Sequence, residues 1–242
     1  MILVADAGNS RVKWALHDGR AFTQEAWLPL DRMAELSAAW AGLPPPGAIA
    51  VANVAGPAVR ETLGRLMGRW KVGPVWVEGA RQQCGVTSLY DDPSQLGPDR
   101  WAALIGARQR VRHTCLVVNS GTAMTVDALS ARGEFLGGLI VPGFDLMHRS
   151  LGEHTARLTA DRGRFTAFPR NSADAITSGA VQSLCGAIER MARAIEQAGH
   201  GKPSLLLTGG AAAVLREPLG LAAEYVERLV LEGLVCIAKE AA

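Results

Sequence analysis

Two stretches of this chain, LVADAGNSRVKWAL (residues 3–16) and LVVNSGTAMTVDAL (residues 116–129), match without a gap. Each is an apolar run, a turn of small and polar residues around a glycine, and a second run that ends in Ala-Leu. Self-similarity of this kind marks a duplicated supersecondary unit. Each copy reads as a β-hairpin, because a glycine-containing turn between two strand-like runs lets the chain reverse.

The flanking segments are related too. After the first copy come strand-like AFTQEAWL (21–28), an amphipathic stretch near 31–40, the strand AIAVANV (48–54), a helix opened by Pro57 and the strand PVWVE (74–78). After the second come EFLGGLIV (134–141), a helix opened by Pro142, a long helical pattern over 172–198 and the apolar strand SLLLTGG (204–210). Hairpins followed by strands alternating with helices predict an α/β class with mixed sheets. The repeat predicts two domains, 1–112 and 113–242, with a cleft between them.

The junction, LYDDPSQLGPDRWAALIGARQRV (89–111), changes character. Pro, Gly and Asp punctuate a loop, after which Trp101, Leu104, Ile105 and Arg108 keep helical spacing. Pro98 followed by Asp99 and Arg100 predicts a helix start, with the carboxylate near the positive end of the helix dipole.

Composition narrows the partners. A chain of 242 residues can bury a proper core, and a net charge of +2 without a polybasic run gives no support for nucleic acid. No apolar stretch approaches the roughly 20 residues that span a bilayer. Cys84, Cys115, Cys185 and Cys236 are far apart and form no CxxC pair, so neither a zinc site nor a disulfide framework is expected. With no leader pattern in the opening residues, the expectation is a cytoplasmic protein with reduced thiols.

A hairpin with glycine at its tip turns backbone N–H groups outward, where they can donate to a phosphate oxygen. Asp6 can then hold magnesium through water, Asn9 and Ser10 can donate to phosphate, and Lys13 can add its charge. Gly121, Thr122 and Thr125 can repeat the phosphate role in the second copy. Gly209-Gly210, between an apolar strand and an Ala-rich helix, suits a flat base lying against backbone. No GxxxxGK[ST] loop is present. Asp99 is either a helix cap or a general base that takes the proton of a substrate hydroxyl. Arg100 can pair with an anionic group of the substrate or with the transferring phosphate.

DAGNSRVK (6–13), YDDPSQLGPDR (90–100), SGTAMT (120–125), GGLIVPG (137–143) and RNSADAITSGA (170–180) occur in the order and spacing of a known family. Over nearly its whole length the chain resembles the type III pantothenate kinases, including the Bvg accessory factor-like members. The resemblance implies duplicated ribonuclease H-like domains of the actin, acetate and sugar kinase and heat-shock ATPase superfamily. It implies ATP-dependent phosphorylation of pantothenate, the first step towards coenzyme A, by a cytoplasmic homodimer that uses magnesium and potassium or ammonium. It assigns Asp99 as general base, and Tyr90, Gly97, Pro98, Asp99, Arg100 and Ser172 as pantothenate contacts, Ser172 standing where the family usually has Thr. For ATP it assigns Asp6, Ala7, Gly8, Asn9, Ser10, Arg11, Val12 and Lys13, together with Gly121 and Thr122. One position departs: the family commonly has an Asp that holds the monovalent cation where this chain has Asn119. A neutral amide offers an oxygen but no charge, so two readings stand for this position: Asp127, further along the same hairpin, compensates, or the loss of a negative charge next to ATP relaxes the cation requirement. Another small-molecule kinase of the superfamily, or a non-catalytic nucleotide-binding regulator, are the competing readings.

Overall fold

The computed structural model describes residues 1–154 and 162–242, without the side chains of 152–154. The chain forms two compact units, one of Met1–Arg112, Gly133–Phe135 and Arg228–Ala242, the other of His113–Arg132 and Leu136–Glu227.

In the first unit, β1 (Ile2–Ala7) and β2 (Arg11–His17) make the expected hairpin, followed by β3 (Phe22–Pro29). A 3₁₀ turn (Leu30–Glu35) and the short α1 (Leu36–Ala39) lead to β4 (Ala48–Asn53), α2 (Pro57–Met67) and β5 (Val75–Trp76). The sheet runs β3-β2-β1-β4-β5, with β1 antiparallel to β2 and parallel to β4. Central β1 is covered on both faces, so Leu3, Val4, Ala5 and Ala7 are all buried and the strand reads as a continuous apolar run. On one face α2 supplies Val59, Leu63 and Met67 at helical spacing, packed with Trp14, Leu16 and Trp40.

The small hairpin β6 (Gln82–Gln83) and β7 (Val86–Ser88) precedes α3 (Pro98–Arg110), which starts with Pro98 at its first turn as expected. In the second unit the copied hairpin is β8 (Cys115–Ser120) and β9 (Ala123–Leu129), followed by β10 (Glu134–Pro142), α4 (Phe144–His154), α5 (Ser172–Gln197), β11 (Ser204–Thr208), α6 (Ala212–Arg216) and β12 (Ala223–Tyr225). Its strands run β12-β11-β8-β9-β10, and α5 lays Val181, Leu184 and Ile188 on Leu116, Val126 and Leu205. The first residues of β10, Glu134 and Phe135, pair with Thr87 and Ser88 of β7 and belong to the first unit.

The last helix, α7 (Leu229–Glu240), also belongs to the first unit, so the second does not run unbroken over 113–242 as the repeat predicted. Its packing gives the reason. A Cβ on Gly106 of α3 would strike the Leu229 carbonyl, and one on Gly233 would strike the Ala102 carbonyl. Two glycines therefore let the helix backbones meet closely, and Leu229, Leu234 and Ile237 are buried there.

The gapless repeat also needs one correction. Ala7 pairs with Val12 in the first hairpin, but Ser120 pairs with Met124 in the second, whose turn is one residue shorter. Thr125 therefore stands opposite Asn119 just as Lys13 stands opposite Asp6.

Candidate active site

Asp6 and Lys13 face each other across β1 and β2, a placement that brings cross-strand side chains within about 5 Å at Cβ. Asp6 Oδ1 is buried and has no hydrogen-bond partner. Burial pushes the Asp6 carboxyl up to about 7, the nearby charge of Asp99 adds to the rise, and Lys13 partly offsets it. A buried carboxylate oxygen left without a donor, beside a second carboxylate, fits a cation better than it fits a structural role.

Asp99 reaches this ground from the first turn of α3. Burial raises its pKa, while the N–H groups of Arg100 and of Asp99 itself, and the Arg100 charge, pull it down. The preceding residue but one is glycine for a reason: a Cβ at Gly97 would lie 2.8 Å from Asp99 Oδ1. The carboxylate occupies the space that any other residue at 97 would fill.

Arg100, one residue on, is buried with only 4% of its surface exposed. Its Nη1 donates to the Tyr90 hydroxyl at 3.3 Å, and its guanidinium lies 5.9 Å from the Tyr90 ring centre and 5.7 Å from that of Phe135. The two rings are themselves in contact, with centres 4.9 Å apart. Phe135 lies in the strand EFLGGLIV, and the sequence gives it no part in the site. Its only sequence signal is an apolar position in a strand, which does not distinguish a core residue from one that carries an arginine.

The turn between β1 and β2 is closed by Gly8, whose N–H donates to the Arg11 carbonyl at 3.0 Å. Asn9 and Ser10 are exposed at its tip. Ala7 and Val12 are fully buried in the core, so what they offer a ligand is backbone and not side chain. Arg11 is drawn sideways onto the Trp27 ring, 4.9 Å from its centre.

In the second unit, Gly121 donates its N–H to the Ala123 carbonyl at 3.0 Å and Thr122 is exposed. Gly143 donates to the Thr122 carbonyl at 2.9 Å, in a position where a Cβ would collide with the Gly121 and Thr122 carbonyls. The VPG segment thus supports the hairpin directly. Gly209, at φ +99, lies so near Asn119 that a Cβ would sit 2.7 Å from the amide oxygen. Gly209-Gly210 and Asn119 therefore share one end of the sheet. Asp127 is buried and lies on the same face of the hairpin as Asn119 and Thr125. Ser172 is the exposed first residue of α5, whose N-cap Asn171 accepts the Asp174 N–H at 2.9 Å. Among the described residues, no group of three or more His, Cys, Asp or Glu is placed to hold a metal.

Asp6, Lys13, Tyr90, Asp99 and Arg100 thus lie in the first unit, and Asn119, Gly121, Thr122 and Ser172 in the second.

A family model described as type III pantothenate kinase matches residues 2–194. A type III pantothenate kinase from Nitrosospira multiformis is 45% identical over 240 residues, covering 99% of this chain and 92% of its own. Among solved structures, a Baf family protein from Campylobacter jejuni superposes with a TM-score of 0.63 at 22% identity, over 99% of this chain and 98% of that one. The activator of 2-hydroxyisocaproyl-CoA dehydratase from Clostridium difficile, solved with bound ADPNP, gives 0.56 at 10% identity over 99% and 94%.

Proposed function

Because the chain belongs to the type III pantothenate kinase family and carries its two-domain ribonuclease H-like fold, we propose that the Asp6–Asp99 pair is the chemical centre of a pantothenate kinase. The protein is an enzyme that transfers the γ-phosphoryl group of ATP to pantothenate, in the first step of coenzyme A biosynthesis.

The observation that carries the site assignment is the buried, unpartnered oxygen of Asp6 with the partly buried Asp99 carboxyl as its charged neighbour. Asp99 is the general base. Burial lifts its pKa towards the operating pH, where a base both holds and releases a proton readily. It orients the primary hydroxyl of pantothenate and accepts its proton as the bond to phosphorus forms. Arg100 and Tyr90 hold the acceptor, with the charge of Arg100 facing a carboxylate of the substrate. Asp6, with its unpartnered oxygen, is the residue that would hold magnesium. When bound, magnesium offsets the negative charge of the phosphates. The two hairpin tips are the phosphate segments of this reading: the N–H groups of Gly8 and Gly121 close their own turns, the residues after them in each tip face the phosphates, and Lys13 adds a positive charge in the first. Most of the rate then comes from positioning and electrostatics.

Two further assignments belong to this reading. Asn119 occupies the monovalent-cation position and supplies an oxygen without charge. The enzyme acts as a homodimer in the cytoplasm, and the exposed apolar side chains of the second unit, Ile140 at 64% and Phe168 at 87%, support the dimer. No helix among the described residues is long and apolar enough to cross a membrane.

The test is ADP release by the purified protein with magnesium-ATP, with and without pantothenate, and identification of the product by mass. Pantothenate-dependent ADP together with phosphopantothenate is expected. ATP binding with no response to pantothenate points to another acceptor or to a regulatory role.

A further inference from the structure

Residues 79–81 carry none of the assigned chemistry, yet the loop that bears Tyr90 rests on them. Arg81 Nη1 donates to the carbonyls of Ser88 at 2.9 Å and Tyr90 at 2.8 Å, and Nη2 donates to that of Asp91 at 3.0 Å. The main chain answers in kind, the Arg81 carbonyl accepting the Ser88 N–H at 2.9 Å. Arg81 reaches the three carbonyls from two nitrogens of its planar fork, whereas a lysine ammonium would offer its three donors from a single atom.

Two residues upstream the same segment meets the far end of the loop. A Cβ on Gly79 would collide with the carbonyls of Pro93 and Leu96. Between these anchor points the loop braces itself: Asp92 Oδ1 accepts the Ser94 N–H at 3.0 Å and its hydroxyl at 2.7 Å, and Ser88 Oγ accepts the Tyr90 N–H at 3.3 Å.

We infer that Arg81 is the positioning residue for the phosphoryl acceptor. It fixes the Tyr90 main chain so that the phenol stays against Arg100 and Phe135, and so holds ready the surface that meets pantothenate. The inference rests on the reading of Tyr90 and Arg100 as acceptor contacts. The three carbonyls that Arg81 holds all lie within residues 88–91, so its influence falls on the acceptor and not on the nucleotide.

Steady-state kinetics of Arg81→Ala, Arg81→Lys and Tyr90→Phe in the full chain test this. Arg81→Ala is expected to raise the KM for pantothenate about tenfold, the size of one lost charge-assisted hydrogen bond. The KM for ATP and kcat are expected to stay within about twofold of wild type. Millimolar methylguanidinium restores part of the loss in Arg81→Ala, and Arg81→Lys retains a raised KM for pantothenate. Should Arg81→Ala fail to fold, the raised KM of Arg81→Lys carries the test. An unchanged KM for pantothenate in the Arg81 variants, or a parallel rise for both substrates that methylguanidinium does not reverse, overturns the inference. Tyr90→Phe separates the two levels. If it raises the KM for pantothenate while the Arg81 variants do not, only the role of Arg81 falls. If it changes nothing, the acceptor reading of Tyr90 falls, and the inference with it.

Discussion

Asp99, on the first turn of a helix, raises the cost of ionising Asp6 at the end of a central strand: the Asp6 carboxyl is pushed up to about 7, first because it is buried and then because Asp99 is its charged neighbour. A folded-state pKa above the unfolded value means that the folded protein binds the proton more tightly. The stability linked to Asp6 is therefore fully present below its ordinary value of 3.8 and is lost as the pH rises from there to about 7. Above that range the free protein carries a buried carboxylate that lacks its cation.

Asp6→Asn removes that burden. The variant should melt higher than wild type at pH 8, by the equivalent of roughly 1–3 kcal/mol, with little difference at pH 4. Its affinity for magnesium-ATP should fall at the same time. Calorimetry at the two pH values, with nucleotide titration, checks both halves. A variant that is less stable than wild type at pH 8 contradicts the electrostatic account of Asp6.

Gly97→Ala separates geometry from folding. The backbone at Gly97, φ −54 and ψ 139, is open to any residue, so alanine brings no backbone strain. The added Cβ must instead displace Asp99 Oδ1. A fall in kcat of about 10²-fold is expected with a melting temperature close to wild type, since misplacing a catalytic group by an ångström costs that much. Unaltered kcat would mean that the Asp99 rotamer has no bearing on turnover.

Asn119→Asp restores a charge at the end of β8, where the amide oxygen now lies against Gly209. Potassium should stimulate the variant at concentrations about tenfold lower than it stimulates the wild type, because carboxylate ligands tighten cation sites. Titration of activity and of nucleotide affinity with potassium against a sodium background reads the effect. Identical curves would detach position 119 from the cation.

Ile140→Asp places a charge on a side chain that is 64% exposed within an apolar stretch of β10. Sedimentation at micromolar protein should show a wild-type dimer and a variant shifted towards monomer, since a charge at the core of an interface is left unpaired. A variant that sediments as the wild type does moves the interface elsewhere.

Much of the candidate site is legible because its signals are local. Asp6, Gly8 and Lys13 lie on one hairpin, and Gly97, Asp99 and Arg100 follow from a Pro-Asp-Arg helix start, so a short window holds each group. What escaped the sequence depends on distance along the chain. Phe135 meets Arg100 and Tyr90 only because β10 begins by pairing with β7. The last helix joins the first unit through Gly106 and Gly233, whose importance appears only once two backbones touch. The shorter second turn was hidden because both copies end in Ala-Leu, and matched ends say nothing about where the ladder closes.

The most direct measurement is the turnover of Asp99→Asn at saturating magnesium-ATP and pantothenate, with nucleotide affinity measured on the same preparation. The account predicts a folded protein that binds ATP at least as well as wild type, because one negative charge has left the site, and turns over about 10²–10⁴-fold more slowly for want of a base. Turnover near the wild-type rate would remove Asp99 from the chemistry and contradict the account at its centre.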